Sequence, residues 1–188
     1  LAETNGSVQG VKFEHWVLST LQSPRSFDPI HLGDSRNKSK LQLPGYNTLV
    51  NFTAPLAVTL PYKAPRMFKP IAQNHPVWDL ILHDVQNGVH RVVFFQVSTS
   101  PFHKHDVADA YPSKAVRSLE PGTDRVRGQV KQLIQGITGL ECTTSTDKGV
   151  LGVTSAAGNL VVEFVYITTS SRMQNESKTR IPIVGVQV

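Results

Sequence analysis

VWDLILHDVQNGVHRVVFFQVS, residues 77 to 98, is two apolar runs around a turn. Asn87-Gly88 lies between them, and both residue types tolerate the positive φ that a tight two-residue hairpin demands. The runs are therefore expected to be antiparallel strands, Val77 to Asp84 and Val89 to Ser98, in a register that sets Asp79 opposite Gln96. Val92, Val93, Phe94, Phe95 and Val97 are apolar on both faces, which places the second strand in the middle of a covered sheet. Two polar residues intrude. Asp79 is embedded among Val77, Trp78, Leu80, Ile81 and Leu82, where an ionised carboxylate costs several kcal/mol unless a cation or hydrogen bonds compensate it. Gln96 raises the same question on the neighbouring strand.

Upstream, Phe13, Trp16, Val17 and Leu21 recur at helical spacing and predict a helix over Val11 to Leu21, with Gly10 just before it. Residues 22 to 47, rich in Pro, Gly and polar side chains, read as loop and as the place for flexibility. Tyr46 to Leu60 predicts one or two short strands broken at Pro55. Residues 61 to 76, with Lys63, Arg66, Lys69 and His75, read as a proline-punctuated basic loop. Downstream, Val126, Val130, Leu133, Ile134 and Ile137 make one helical face that stops at Gly139. Leu160 to Thr168 predicts a strand, and Ile181 to Val188 a last strand at the edge. The pattern implies an α/β fold, a mixed central sheet flanked by helices, as a single domain over residues 1 to 188.

The chain has 188 residues and a net charge of +5, from 19 Lys and Arg against 14 Asp and Glu. That suffices for one substantial core and suits a polyanionic partner without requiring one. Its one cysteine, Cys142, cannot close an internal disulfide, which reads as intracellular. No apolar run approaches the ~20 residues of a membrane span, so no membrane partner is expected. Opening on Leu1, the chain is expected to be a fragment of a longer protein.

Acceptors converging at the end of a sheet suit a hard divalent cation. Glu14, three or four residues from Val17 and Leu18 at the margin of the helical stripe, is the candidate to join Asp79 and Gln96. Beyond Gln96, His103, Lys104 and His105 follow at the strand end. A two-histidine zinc site would need a second ligand pair that the sequence does not offer. A Ser98-His103-Asp106 triad lacks the Gly-x-Ser-x-Gly elbow.

Gly10-Val-Lys-Phe-Glu14, then Asn74-His-Pro-Val-Trp-Asp79, then Phe95-Gln96-Val97-Ser98-Thr99-Ser100 followed by His103, resembles the nuclease-like domain of Crinkler effector and retrotransposon hot spot proteins. That domain belongs to the restriction-endonuclease-like PD-(D/E)xK superfamily. The resemblance spans residues 10 to about 105. It implies a restriction-endonuclease-like fold and an endonuclease that hydrolyses DNA phosphodiester bonds with Mg²⁺ or Mn²⁺. Asp79 would be the central metal ligand, Gln96 would stand where Glu is usual, and Glu14 would match the acid of the first helix. Ser98 falls where the superfamily has lysine, and Lys104 is the candidate substitute, to orient or deprotonate the attacking water. The resemblance also implies a nuclear setting, in the producing cell or in a host cell invaded by an effector, with nuclear proteins as further candidate partners.

Lys63, Arg66 and Lys69 on one side, and Lys114, Arg117, Arg125, Arg127 and Lys131 on the other, are the candidate DNA phosphate contacts, together with His103 and Lys104. Gln96 removes a full negative charge from the cation's surroundings and Ser98 removes a lysine. A domain that binds DNA without cutting it is therefore one alternative, and a protein-interaction module is another.

Overall fold

The computed structural model describes residues 2–31, 40–53, 64–71, 78–99, 125–147, 150–169 and 183–188. Helix α1 (Ala2–Thr20) begins well before the expected start and runs through Gly10. A glycine inside a helix costs roughly 0.5–1 kcal/mol. Burial of Phe13, Val17, Leu18 and Leu21 on the sheet outweighs it, at roughly 1.5–3 kcal/mol per side chain. Trp16, expected in that stripe, is instead 49% exposed and stacks on Phe13 with ring centroids 5.9 Å apart.

The stretch expected as loop after α1 carries three short strands, β1 (Arg25–Phe27), β2 (Ile30–His31) and β3 (Leu41–Leu43). In β3, buried Leu41 and Leu43 flank exposed Gln42, the alternation of a half-covered strand, and β3 pairs antiparallel with β1. Strand β4 (Thr48–Phe52) follows. Next comes β5 (Arg66–Pro70), inside the stretch expected as a basic loop. Pro65 and Pro70 bound rather than break it, since a proline at a strand end removes no interior ladder bond.

The hairpin of β6 (Leu80–Gln86) and β7 (Val89–Ser98) holds the expected register, Leu80 facing Phe95 and Gln86 facing Val89. Asn87 and Gly88 turn at φ 52° and 77°. Val92, Val93, Phe94 and Phe95 are fully buried. Helix α2 (Arg125–Thr138) ends at Gly139, whose φ is 72°. A separate hairpin, β8 (Cys142–Asp147) with β9 (Val150–Ser155), precedes β10 (Leu160–Thr168) and β11 (Ile183–Gln187).

The main sheet has seven strands in the order β2-β11-β10-β7-β6-β5-β4. It is mixed: β5, β6 and β7 are antiparallel neighbours, β10 lies parallel to β7, and β11 parallel to β10. Strand β11 was expected at the edge, but β2 caps it on the outer side. α1 packs on one face, over Met67, Leu80, Leu82, Val93, Phe95 and Ile167. On the other face α2 sits over Phe68, Ile81, Phe94, Phe164 and Trp78. The result is an α/β domain of three layers.

Candidate active site

Asp79 lies one residue before β6, at a bend. Trp78 packs into the core under α2 and Leu80 into the core under α1. In a regular strand residues two apart share a face, so the chain turns at Asp79. Its N–H donates to Phe95 O at 3.0 Å, and its Oδ2 accepts the Val97 N–H at 2.7 Å. The paired ladder ends at Leu80 and Phe95, and beyond it the Asp79 N–H still bonds Phe95 O, so the expected pairing of Asp79 with Gln96 lies past the end of the ladder.

The carboxylate is held in an environment that disfavours its charge. Burial pushes the Asp79 pKa up to about 6, the Val97 N–H works against that rise, Glu14 adds to it and Lys69 offsets it. Those effects identify its charged neighbours. Glu14 on α1 and Lys69 on β5 form an ion pair, with side chains 24% and 25% exposed. Strand alternation explains the lysine: Met67 points to the α1 face, and Lys69, two residues on, follows it.

The end of α1 is pinned to the sheet. Tyr46 Oη donates to Leu18 O at 3.0 Å, and the Tyr46 N–H donates to Leu21 O at 3.1 Å. Gly45 permits that approach, because a Cβ there would meet Gln22 O at 2.5 Å.

Gln96 shares the alternation of Val92 and Phe94, on the α2 side, whereas Val97 packs with the α1-side core. Its Oε1 is buried and has no hydrogen-bond partner among the described residues. An acceptor left so costs about 1–3 kcal/mol, which suits it to a cation or a water that the fold itself does not supply. Among the described residues, no group of three or more His, Cys, Asp or Glu side chains is placed to hold a metal ion. On the α1 side of this sheet end, the carboxylate oxygens among the described residues are those of Glu14 and Asp79, and the Gln96 amide lies on the opposite face. The two carboxylates are hard donors, compatible with Mg²⁺ or Mn²⁺, which retain several waters.

The structure thus brings Asp79 beside Glu14, leaves Gln96 on the opposite face of the sheet, and adds Lys69, which the sequence suggested only as a phosphate contact. The signal for Lys69 was its two-residue offset from Met67, but its partner lies on a distant helix. Lys63, His103, Lys104, Lys114 and Arg117 lie outside the described residues, as does the His103-x-His105 pair. Arg125 and Arg127 open α2, and Lys131 is exposed on it. Ser98 ends β7, partly exposed.

Arg66 is a correction. It was expected on a surface loop, yet it is 6% exposed. Its Nε donates to His83 Nδ1 at 3.1 Å, its Nη2 donates to Ile137 O, and its guanidinium lies over Phe68. These contacts commit it to joining β5, β6 and α2, so it is not available to phosphate. His83 Nε2 lies 3.0 Å from His90 Nδ1, and the two rings stack. Burial, then Arg66, then His90 push the His83 pKa down to about 3. An apolar hollow lined by Trp16, Thr20, Leu21, Phe27, Ile167 and Val188 lies at the C-terminal end of α1 and offers no acid or base.

Comparison with protein-family models, with curated proteins and with solved structures returns no match.

Proposed function

We propose that the chain is a metal-dependent DNA endonuclease domain of restriction-endonuclease-like fold, cutting phosphodiester bonds at the end of the β6–β7 hairpin. The observation that carries this reading is Asp79, a half-buried carboxylate at a bend between two core layers, coupled to Glu14 and Lys69. The sheet is mixed and carries α1 and α2 on its two faces, which is compatible with the α/β class that the resemblance implies.

Glu14 and Asp79 would hold Mg²⁺ or Mn²⁺ with waters completing the shell; Gln96, expected as a third ligand, lies on the α2 side of the sheet, away from Glu14. When bound, such an ion polarises a phosphodiester oxygen and lowers the pKa of a coordinated water. The Val97 N–H orients the Asp79 carboxylate, and Lys69 places a positive charge beside it, where phosphate would arrive. Lys131, exposed on α2, is the proposed phosphate contact, and Arg125, Arg127, His103 and Lys104 remain candidates. No helix among the described residues is long and apolar enough to cross a membrane. A nuclear setting and nuclear partners belong to the proposal through the resemblance alone.

A second reading is a DNA-binding domain that does not cut. Two observations favour it: Gln96 stands where a carboxylate is usual, and Lys69 already neutralises Glu14. Supercoiled plasmid incubated with wild type and Asp79→Ala, in Mg²⁺, Mn²⁺ or EDTA, separates the two readings when a binding titration accompanies it. Metal-dependent nicking lost in the variant supports cleavage. Salt-sensitive binding by both proteins without nicking supports the second reading.

A further inference from the structure

Lys69 lies on β5, and extending the β5–β6 register from Phe68 and Ile81 sets it beside Leu80, the neighbour of Asp79. Its ammonium pairs with Glu14, and its charge is felt at Asp79. Both members of the pair are about three-quarters covered, so water screens them only in part.

Counting charge then gives a constraint. Glu14 and Asp79 ionised contribute −2, and Gln96 contributes nothing. With Lys69 in place the cluster carries −1, which is a poor host for a divalent ion. A divalent ion and the ammonium together would leave +1 in a half-buried place, which is unfavourable. A phosphate arriving with its own negative charge restores neutrality with both cations present.

We propose that Lys69 is the resident counter-ion of Glu14 and makes metal uptake conditional on phosphate. Without DNA the ammonium and the metal compete for Glu14. With DNA the ammonium turns to the phosphate and releases the carboxylate. The proposal rests on the metal-site reading above.

The test is Mn²⁺ affinity by titration calorimetry for wild type, Lys69→Met and Lys69→Arg, with and without a phosphorothioate DNA duplex that resists cutting. Lys69→Met keeps most of the aliphatic stem, and a melting curve verifies its fold. Lys69→Arg keeps the charge should Lys69→Met fail to fold, and is expected to behave as wild type. The expected result is that Lys69→Met binds Mn²⁺ about tenfold more tightly than wild type without DNA. The duplex should tighten Mn²⁺ binding to wild type more than to the variant, since coupling is reciprocal. If wild type binds Mn²⁺ and folded Lys69→Met binds it equally, with the same response to DNA, the counter-ion role is overturned while the metal site stands. If neither protein binds Mn²⁺, the metal site and the counter-ion role fall together.

Discussion

Asp79 Oδ2 accepts the backbone N–H of Val97 at 2.7 Å, across the open end of the central hairpin. One bond thereby does two things. It partly compensates a carboxylate that the surrounding core makes expensive, and it fixes that carboxylate where Glu14 and Lys69 reach it. Gln96, beside Val97, carries on the α2 face an amide oxygen with no hydrogen-bond partner among the described residues.

Asp79 is therefore costly to the fold. Its folded pKa, about 6, lies above its ordinary value of 3.8. The folded state then binds more protons between these values, so this group lowers stability as pH rises from about 4 to 6, and the deficit persists at neutral pH. Asp79→Asn keeps an oxygen for the Val97 N–H and removes the charge. Without metal it should raise stability at pH 7 by about 1–2 kcal/mol, measured by urea unfolding, and flatten the pH dependence in that window.

His83 acts with the opposite sign. Its folded pKa is depressed to about 3 from 6.5, so it contributes stability at neutral pH that is lost as pH falls from about 6.5 toward 3. His83→Gln retains an acceptor for the Arg66 Nε and should reduce that acid sensitivity. His83→Leu leaves the guanidinium short of a partner and should cost about 2–3 kcal/mol at pH 7. Melting curves of the three proteins from pH 7 to 4 measure both effects.

The two arginine and lysine roles separate in DNA binding. Lys131→Ala, on an exposed face of α2, should lower the slope of log affinity against log salt by about one. Arg66→Lys should leave that slope unchanged and destabilise the fold, because lysine cannot span His83 and Ile137 as the guanidinium fork does. Fluorescence anisotropy at several salt concentrations, with unfolding curves, checks both.

Gly45→Ala tests how α1 is positioned. A Cβ there would stand 2.5 Å from Gln22 O and 2.9 Å from the Ser23 backbone. Overpacking of this kind costs about 1–3 kcal/mol. Because the shift displaces the helix carrying Glu14, Mn²⁺ affinity should fall as well.

The parts of the fold carried by local chemistry were legible in the sequence. Asn87-Gly88 dictated the hairpin and its register from Gln86 and Val89 to Leu80 and Phe95. The apolar run Leu160 to Thr168 gave its strand to the residue. What escaped depended on distant partners. Prolines hid β5, although only its ends carry them. Arg66 read as surface because arginine usually is, and its partners His83 and Ile137 come from other elements. Lys69 read as a phosphate contact because nothing local shows that α1 brings Glu14 to it.

The central claim is that Asp79 and Glu14 hold the ion that cuts DNA. Its most direct test is the initial rate of Mn²⁺-dependent plasmid nicking by wild type, Asp79→Asn and Glu14→Gln, each verified as folded by its melting curve. The account predicts metal-dependent nicking by wild type and a loss of at least a hundredfold in both variants, on the order of 3 kcal/mol of transition-state stabilisation. Nicking that survives Asp79→Asn, or that proceeds equally in EDTA, would contradict it.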